Sequence, residues 1–385
     1  MLATRHLLLG LLATISLAQD IILPQGPGPY NVTIRTSQLD DFSRPEIFSA
    51  EPQHRRVMIS VFSPVTEDVS ACKSPYMPPD LAALLTAVYS GSPPPSNFTI
   101  DFSRFYLQAC NADVTYGFPK SESSTCNQTS SFPLIIFGPG LTFTRFWYHV
   151  TSQFLASYGY IVVTVDHPYD ALAVQFPDGS AAIFNETVQD TDEHLERDLF
   201  VRTADVSFVL DQLSTNKTLT QLIYPHNVRP RSTTNVGIWG HSFGGATAVT
   251  ALLKDERFKA GINLDGTIFG PAPGVGFDHP LILWQSDNGP DAETDPTWTE
   301  LWPRLPGFKR HLQMSDSQHR GLTDLKLLAD LVGTSSPDFG TIDGLLELHT
   351  LAAYVSDFFG FALEGKDPGL VQGPSKEYPQ VEFLS

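Results

Sequence analysis

The sequence predicts an α/β fold: a mostly parallel central sheet with helices on both faces. Three observations carry that prediction. From residue 132 onward, short and fully apolar runs of strand length alternate with segments of helical periodicity. Those runs end at Gly, Pro or Asp clusters, the punctuation expected between strands and helices. Of the 385 residues 42% are hydrophobic, enough for a sizeable core. No heptad, glycine triplet or repeat of 20–50 residues competes with this reading. Length alone suggests two to three domains, but one unbroken strand–helix alternation argues for a single domain.

The first twenty residues, MLATRHLLLGLLATISLAQD, read as a targeting segment. Arg5 and His6 supply a basic start, Leu7 to Ile15 an apolar stretch, and Ser16-Leu17-Ala18 a small-residue cleavage site. Asp20 arrives too soon for a membrane-spanning helix, so residues 1–18 are expected to be a signal peptide and 19–385 a secreted, extracellular chain. N-x-S/T sequons at Asn31, Asn97, Asn127, Asn185 and Asn216 fit a glycoprotein. An oxidising compartment favours one disulfide among Cys72, Cys110 and Cys126 and leaves one thiol over; sequence does not choose the pairing.

Strands are expected at Tyr30 to Ile34 and Arg56 to Phe62, where apolar and polar residues alternate. Residues 65–131, rich in Pro, Ser and Asn and holding every cysteine, read as an insertion with one helix at Pro79 to Tyr89. Leu134 to Phe137 is the first fully apolar strand, followed by a helix over Phe146 to Tyr158 that stops at Gly159. Tyr160 to Val165 is the next strand, ending at Asp166-His167, and residues 193–213 form a long amphipathic helix. Strands then follow at Asn235 to Trp239, Ala260 to Leu264, Leu281 to Trp284 and Arg310 to Gln313, with a closing helix over Glu347 to Leu363.

The formal charge of −18 argues against a nucleic-acid partner, and no C-x-x-C, H-E-x-x-H or EF-hand spacing suggests a metal. Gly240-His241-Ser242-Phe243-Gly244 matches G-x-S-x-G, a weak pattern in isolation. Its context raises it, because it follows one expected strand and opens a helix over Phe243 to Leu253. Such a strand–turn–helix lifts a serine hydroxyl above the sheet, the nucleophile elbow of the α/β-hydrolase fold.

A serine hydroxyl needs an adjacent base, and the base an orienting acid, in the chain order Ser, acid, His. His319 lies in a loop just past the last strand and is the expected base; His279, His311 and His349 fall in or beside regular elements. Asp265 and Asp287 each end a strand, and either position suits the acid. Asp166 and His167 precede the serine and are read as part of the site's wall or as a loop cap. Backbone N–H groups of Phe243 and Leu141 are the expected oxyanion donors. Gly138-x-Gly140 lacks the third glycine of a dinucleotide fingerprint.

The segments FPLIIFGPGLTFTRFWY, SYGYIVVTVDHPYDA, RTADVSFVLDQL, VGIWGHSFGGATA and GINLDGTIFG together resemble the plasma-type platelet-activating-factor acetylhydrolase family, in its secreted, fungal-like branch. The likeness spans roughly residues 132–270 and weakens through His319 and Thr323-Asp324. It implies an acid 23 residues after the serine, hence Asp265, with His319 as base. It also implies a cofactor-free, calcium-independent hydrolase of short or oxidised acyl chains at the second position of phospholipids. Vertebrate members read H-G-x-G where this chain has Gly138-Pro139-Gly140-Leu141.

The expected function is therefore a serine esterase acting on a small-molecule ester or phospholipid, as a monomer in transient contact with lipid. A broad carboxylesterase or polyester (cutinase-like) hydrolase is the alternative substrate class, and a non-catalytic binding protein the alternative of another kind. Phe and Trp residues at 143–148 fit an interfacial patch and core packing equally well.

Overall fold

A computed structural model describes residues 19–68, 71–90, 99–111, 130–186, 191–225, 227–287, 289 and 295–385. The expected signal peptide, Asn97, Asn127 and Cys126 lie outside the described residues.

Among the described residues, ten strands form one sheet. In chain order they are β1 Asn31–Pro45, β2 His54–Val65, β3 Cys110–Asn111, β4 Leu134–Gly138, β5 Ile161–Asp166, β6 Val236–His241, β7 Phe258–Leu264, β8 Leu281–Ser286, β9 Lys309–Met314 and β10 Val381–Phe383. Across the sheet the order is β10-β9-β8-β7-β6-β4-β5-β2-β1-β3. The six strands from β9 to β5 run parallel. β2 pairs antiparallel with β5, β1 with β2, and β10 with β9.

The continuous apolar runs have a direct cause: both faces of these strands are covered. In β4, Ile135 and Phe137 pack into one core while Leu134 and Ile136 pack into the other. On the first face lie α2 (His149–Ser157), α5 (Asp324–Val332) and α6 (Gly344–Glu364), which contribute Phe154, Leu328, Leu351 and Phe358. On the second lie α3 (Asp192–Thr215) and α4 (Phe243–Lys254), with Val206, Val209, Val249 and Leu252. α3 starts where Thr191 accepts from the His194 N–H, and α6 where Asp343 accepts from that of Leu346.

Several expectations need correction. The helix over Phe146 to Tyr158 begins instead as a 3-10 turn, Arg145–Tyr148, and becomes α-helical only at His149. Buried Asp166 takes the Arg145 N–H at 2.6 Å and pairs with its guanidinium, which fixes that turn apart from the helix. Phe143, Phe146 and Trp147 are buried, so the interfacial reading of this stretch fails. The terminal strand Val381–Phe383 has no counterpart in the sequence reading: its three residues alternate, but a run that short gives no signal.

Within 65–131, the helix Pro79–Ser90 contributes Leu81 and Leu85 to the same core as Trp147. A Cys72–Cys110 disulfide ties the start of this stretch to β3 beside β1. Among the described residues no helix is long and apolar enough to cross a membrane.

Candidate active site

Because β4 to β9 run parallel, their carboxyl ends share one edge, where ligands of open α/β sheets bind. Gly138, His241, Leu264, Ser286 and Met314 end their strands there, and every proposed reacting residue follows one of them.

Ser242 follows β6 directly and adopts φ 55°, ψ −123°, a conformation that side chains seldom take. Its N–H donates to the Leu264 carbonyl at 2.7 Å, and its own carbonyl accepts from Gly245 and Ala246 as α4 begins. The flanking glycines answer to close backbone approach rather than to freedom of φ. A Cβ at Gly240 would lie 2.2 Å from the Gly244 carbonyl oxygen, and one at Gly244 2.0 Å from that of Gly138. Neither neighbour is a side chain that can swing away.

Asp265 follows β7, itself at φ 57°, with a side chain only 1% exposed. One of its oxygens accepts from the Ser286 N–H at 2.7 Å, the other from Ser286 Oγ at 3.0 Å and from His319 Nδ1 at 2.6 Å. A carboxylate can only accept, so Nδ1 carries the proton and Nε2 is left as the free base. The His319 side chain is 45% exposed. Asp287 is turned elsewhere: it accepts from Gln313 Nε2 at 2.9 Å and from the Asp316 N–H at 2.6 Å.

The loop after β4 completes the edge. A Cβ on Gly140 would sit 3.2 Å from Ser242 Cβ, so this loop runs against the serine. Thr142, at φ 66°, is held by donating its N–H to Asp170 O and accepting the Leu172 N–H. Phe243 is the first residue of α4, where a backbone N–H has no intrahelical acceptor. Leu141, Leu195, Leu199, Phe243 and Phe269 form an apolar cluster beside these donors, with the two Phe rings edge to face at 5.6 Å.

His241, the variable residue of the motif, is fully buried. Its Nδ1 lies 2.8 Å from Tyr148 Oη, and its ring centre is 4.5 Å from that of His319. Burial first, then the nearby His319, holds its pKa well below the ordinary histidine value. A neutral neighbour does not repel positive charge on His319.

Sequence reading missed three residues that contact this edge: Ser286, Tyr148 and Arg202. Tyr148 meets His241 across 93 residues, a contact no local pattern encodes. Arg202 did leave a trace. Asp198, Arg202 and Asp205 recur at helical spacing on the face of α3 that buries Leu199 and Val206, so three charges stand where apolar residues belong. Asp166 is wholly buried in an ion pair with Arg145, and His167, its pKa lowered by burial, hydrogen-bonds Asp205 through Nδ1 at 2.8 Å. His311 in β9 donates from Nε2 to Gln285 Oε1 in β8 at 2.6 Å, and His349 packs on Phe154, so neither faces the serine.

Residues 97–208 and 227–273 match the family model of platelet-activating factor acetylhydrolase, isoform II. A probable 1-alkyl-2-acetylglycerophosphocholine esterase of Arthroderma benhamiae is 31% identical, over 96% of this chain and 95% of that protein. The platelet-activating factor acetylhydrolase of Cavia porcellus is 32% identical over 39% of this chain and 38% of its own length. Among solved structures, the ferulic acid esterase of Streptomyces cinnamoneus superposes with a TM-score of 0.74 at 26% identity, covering 94% of this chain and 99% of that one. The α/β-hydrolase fold is thereby shown, and the chain belongs to the platelet-activating factor acetylhydrolase isoform II family of carboxylic ester hydrolases.

Proposed function

We propose that this chain is a secreted serine esterase that removes short acyl groups, with 1-alkyl-2-acetylglycerophosphocholine as its substrate class. One observation carries the reading: a serine in a strained strand–helix turn shares its sheet edge with a histidine held at Nδ1 by a buried carboxylate. Ser242 Oγ attacks the ester carbonyl while His319 Nε2 takes its proton. Asp265 holds the imidazole in that tautomer and balances the imidazolium. The N–H groups of Leu141 and Phe243 receive the oxyanion. His319 returns the proton to the leaving alcohol, and water, activated by the same nitrogen, releases the acid from the acyl-serine.

The apolar cluster around Phe243 and Phe269 supports a small acyl group lying against Leu141. Near-complete coverage by the Arthroderma benhamiae relative supports the acetylglycerophosphocholine class. Coverage by the ferulic acid esterase keeps a broader carboxylesterase as the second reading. Asn31, Asn185 and Asn216 are part-exposed, which supports glycans there.

The test expresses the full chain and purifies it from the medium. The protein should run faster after N-glycosidase treatment. It should hydrolyse acetyl and butyryl glycerophospholipids at least about tenfold faster than octanoyl or palmitoyl ones. Turnover of soluble esters without any phospholipid turnover would transfer the assignment to a general carboxylesterase. Retention inside the cell with unchanged mobility would remove the secreted-glycoprotein part.

A further inference from the structure

Arg202 lies in α3, wholly buried, and has no part in the steps above. Its Nη1 donates to the Pro139 carbonyl at 2.6 Å, and Nη2 to the Gly140 carbonyl at 3.3 Å. Those carbonyls belong to the loop against Ser242. The carbonyl of Gly140 and the N–H of Leu141 are two ends of one planar trans peptide, pointing in opposite directions. Fixing the first therefore aims the second. The same guanidinium lies 4.7 Å over the ring of Phe243, so one cation touches both segments assigned as oxyanion donors.

Arg202 is itself gripped from behind. Nε donates to Asp170 Oδ2 at 2.5 Å, Nη2 pairs with the other oxygen, and Asp198 lies 3.6 Å away. Asp170 also supplies the backbone carbonyl that holds Thr142 in the same loop. Burial and the charge of Asp170 push the pKa of Asp198 well up, whereas at Asp170 burial is outweighed by Arg202 and by the hydrogen bonds it accepts, which hold its pKa down. Packing does not require this arrangement, since apolar side chains of similar volume fill such sites as stably. What an apolar residue cannot do is donate to two consecutive carbonyls.

We propose that Arg202 is a positioning residue that aims the Leu141 N–H at the oxyanion, with Asp170 holding it in register. The proposal rests on Leu141 and Phe243 being the oxyanion donors.

The test uses the full-length enzyme with Arg202→Lys, Arg202→Met and the double change Arg202→Met with Asp170→Asn, beside Ser242→Ala. The double change avoids stranding a buried carboxylate and separates stability from activity. Each variant is assayed on a soluble acetyl ester for kcat and KM. Each is also tested for binding a trifluoromethyl ketone, which forms a tetrahedral oxyanion adduct, and its unreactive alcohol analogue. In the double variant kcat should fall about 100-fold or more while KM stays within about threefold. Ketone affinity should fall by the same factor, alcohol affinity should not move, and Arg202→Lys should lie between. Should the double variant not fold, Arg202→Lys gives the same paired readout. Full kcat and ketone affinity in a folded variant that lacks the guanidinium would overturn the proposal while leaving the esterase reading intact. Full activity in Ser242→Ala would overturn the esterase reading itself.

Discussion

A histidine acts as a base at one nitrogen only when something decides which nitrogen holds the proton. Here Asp265 decides it for His319, and Ser286 fixes Asp265 through two hydrogen bonds to its carboxylate. Replacing that carboxylate with an amide offers Nδ1 a donor, which inverts the tautomer and leaves Nε2 protonated. Asp265→Asn should therefore lower kcat by roughly ten-thousand-fold with the fold intact, as measured by initial rates and thermal unfolding. Asp287→Asn should change kcat little, because an amide oxygen still accepts the Asp316 N–H. The reverse ranking would move the acid to Asp287.

The loop between β9 and α5 carries the proposed base, His319, and several elements hold it. Asp287 donates its N–H to the Ser317 carbonyl and accepts that of Asp316, while the Asp316 carbonyl receives the N–H of Thr341 at 2.8 Å. Ser317 Oγ donates to Glu347 in α6. Glu347 is buried, and that burial outweighs Ser317 and nearby Lys326 to push its pKa up to about 8, with Asp330 adding to the rise. The folded chain thus keeps a proton that the unfolded chain releases near pH 4.5. Stability from this group is full below that value and is lost as pH rises through about 8. Asp324, raised to about 7 by burial as it accepts from the N–H groups of α2, adds a loss of the same sign. Glu347→Gln should make the fall in melting temperature between about pH 5 and pH 8.5 smaller by a few degrees, leaving the share due to Asp324. An equal fall in both proteins would show that Glu347 is ionised in the fold.

At the scale of the whole molecule, what the sequence made legible follows from what is buried on two sides. Strands β4 to β8 announce themselves because each is covered by helices on both faces and has no room for polar alternation. The antiparallel β1–β2 pair runs well beyond its alternating core, to Pro45 and Val65, because residues such as Arg55 and Asp41 face buried or part-buried ion pairs rather than apolar neighbours. The serine elbow was readable as a local pattern, and Asp265 and His319 as loop residues at strand ends. Their distance of 54 residues meant that only geometry could bring Nδ1 to the carboxylate. The buried network around Arg202 was hard to read because Asp198, Arg202 and Asp205 sit in an otherwise ordinary amphipathic helix, where charges pass for solvated ones, while Asp170 comes from a separate loop.

The central claim is that Ser242 carries the acyl group. Acid quenching of the full-length enzyme during turnover of an acetyl ester, followed by peptide mass spectrometry, tests it most directly. The account predicts a single acetyl adduct on the Ser242 peptide, absent together with turnover in Ser242→Ala. Turnover at the parent rate in Ser242→Ala, with no adduct on that peptide in the parent, would contradict it.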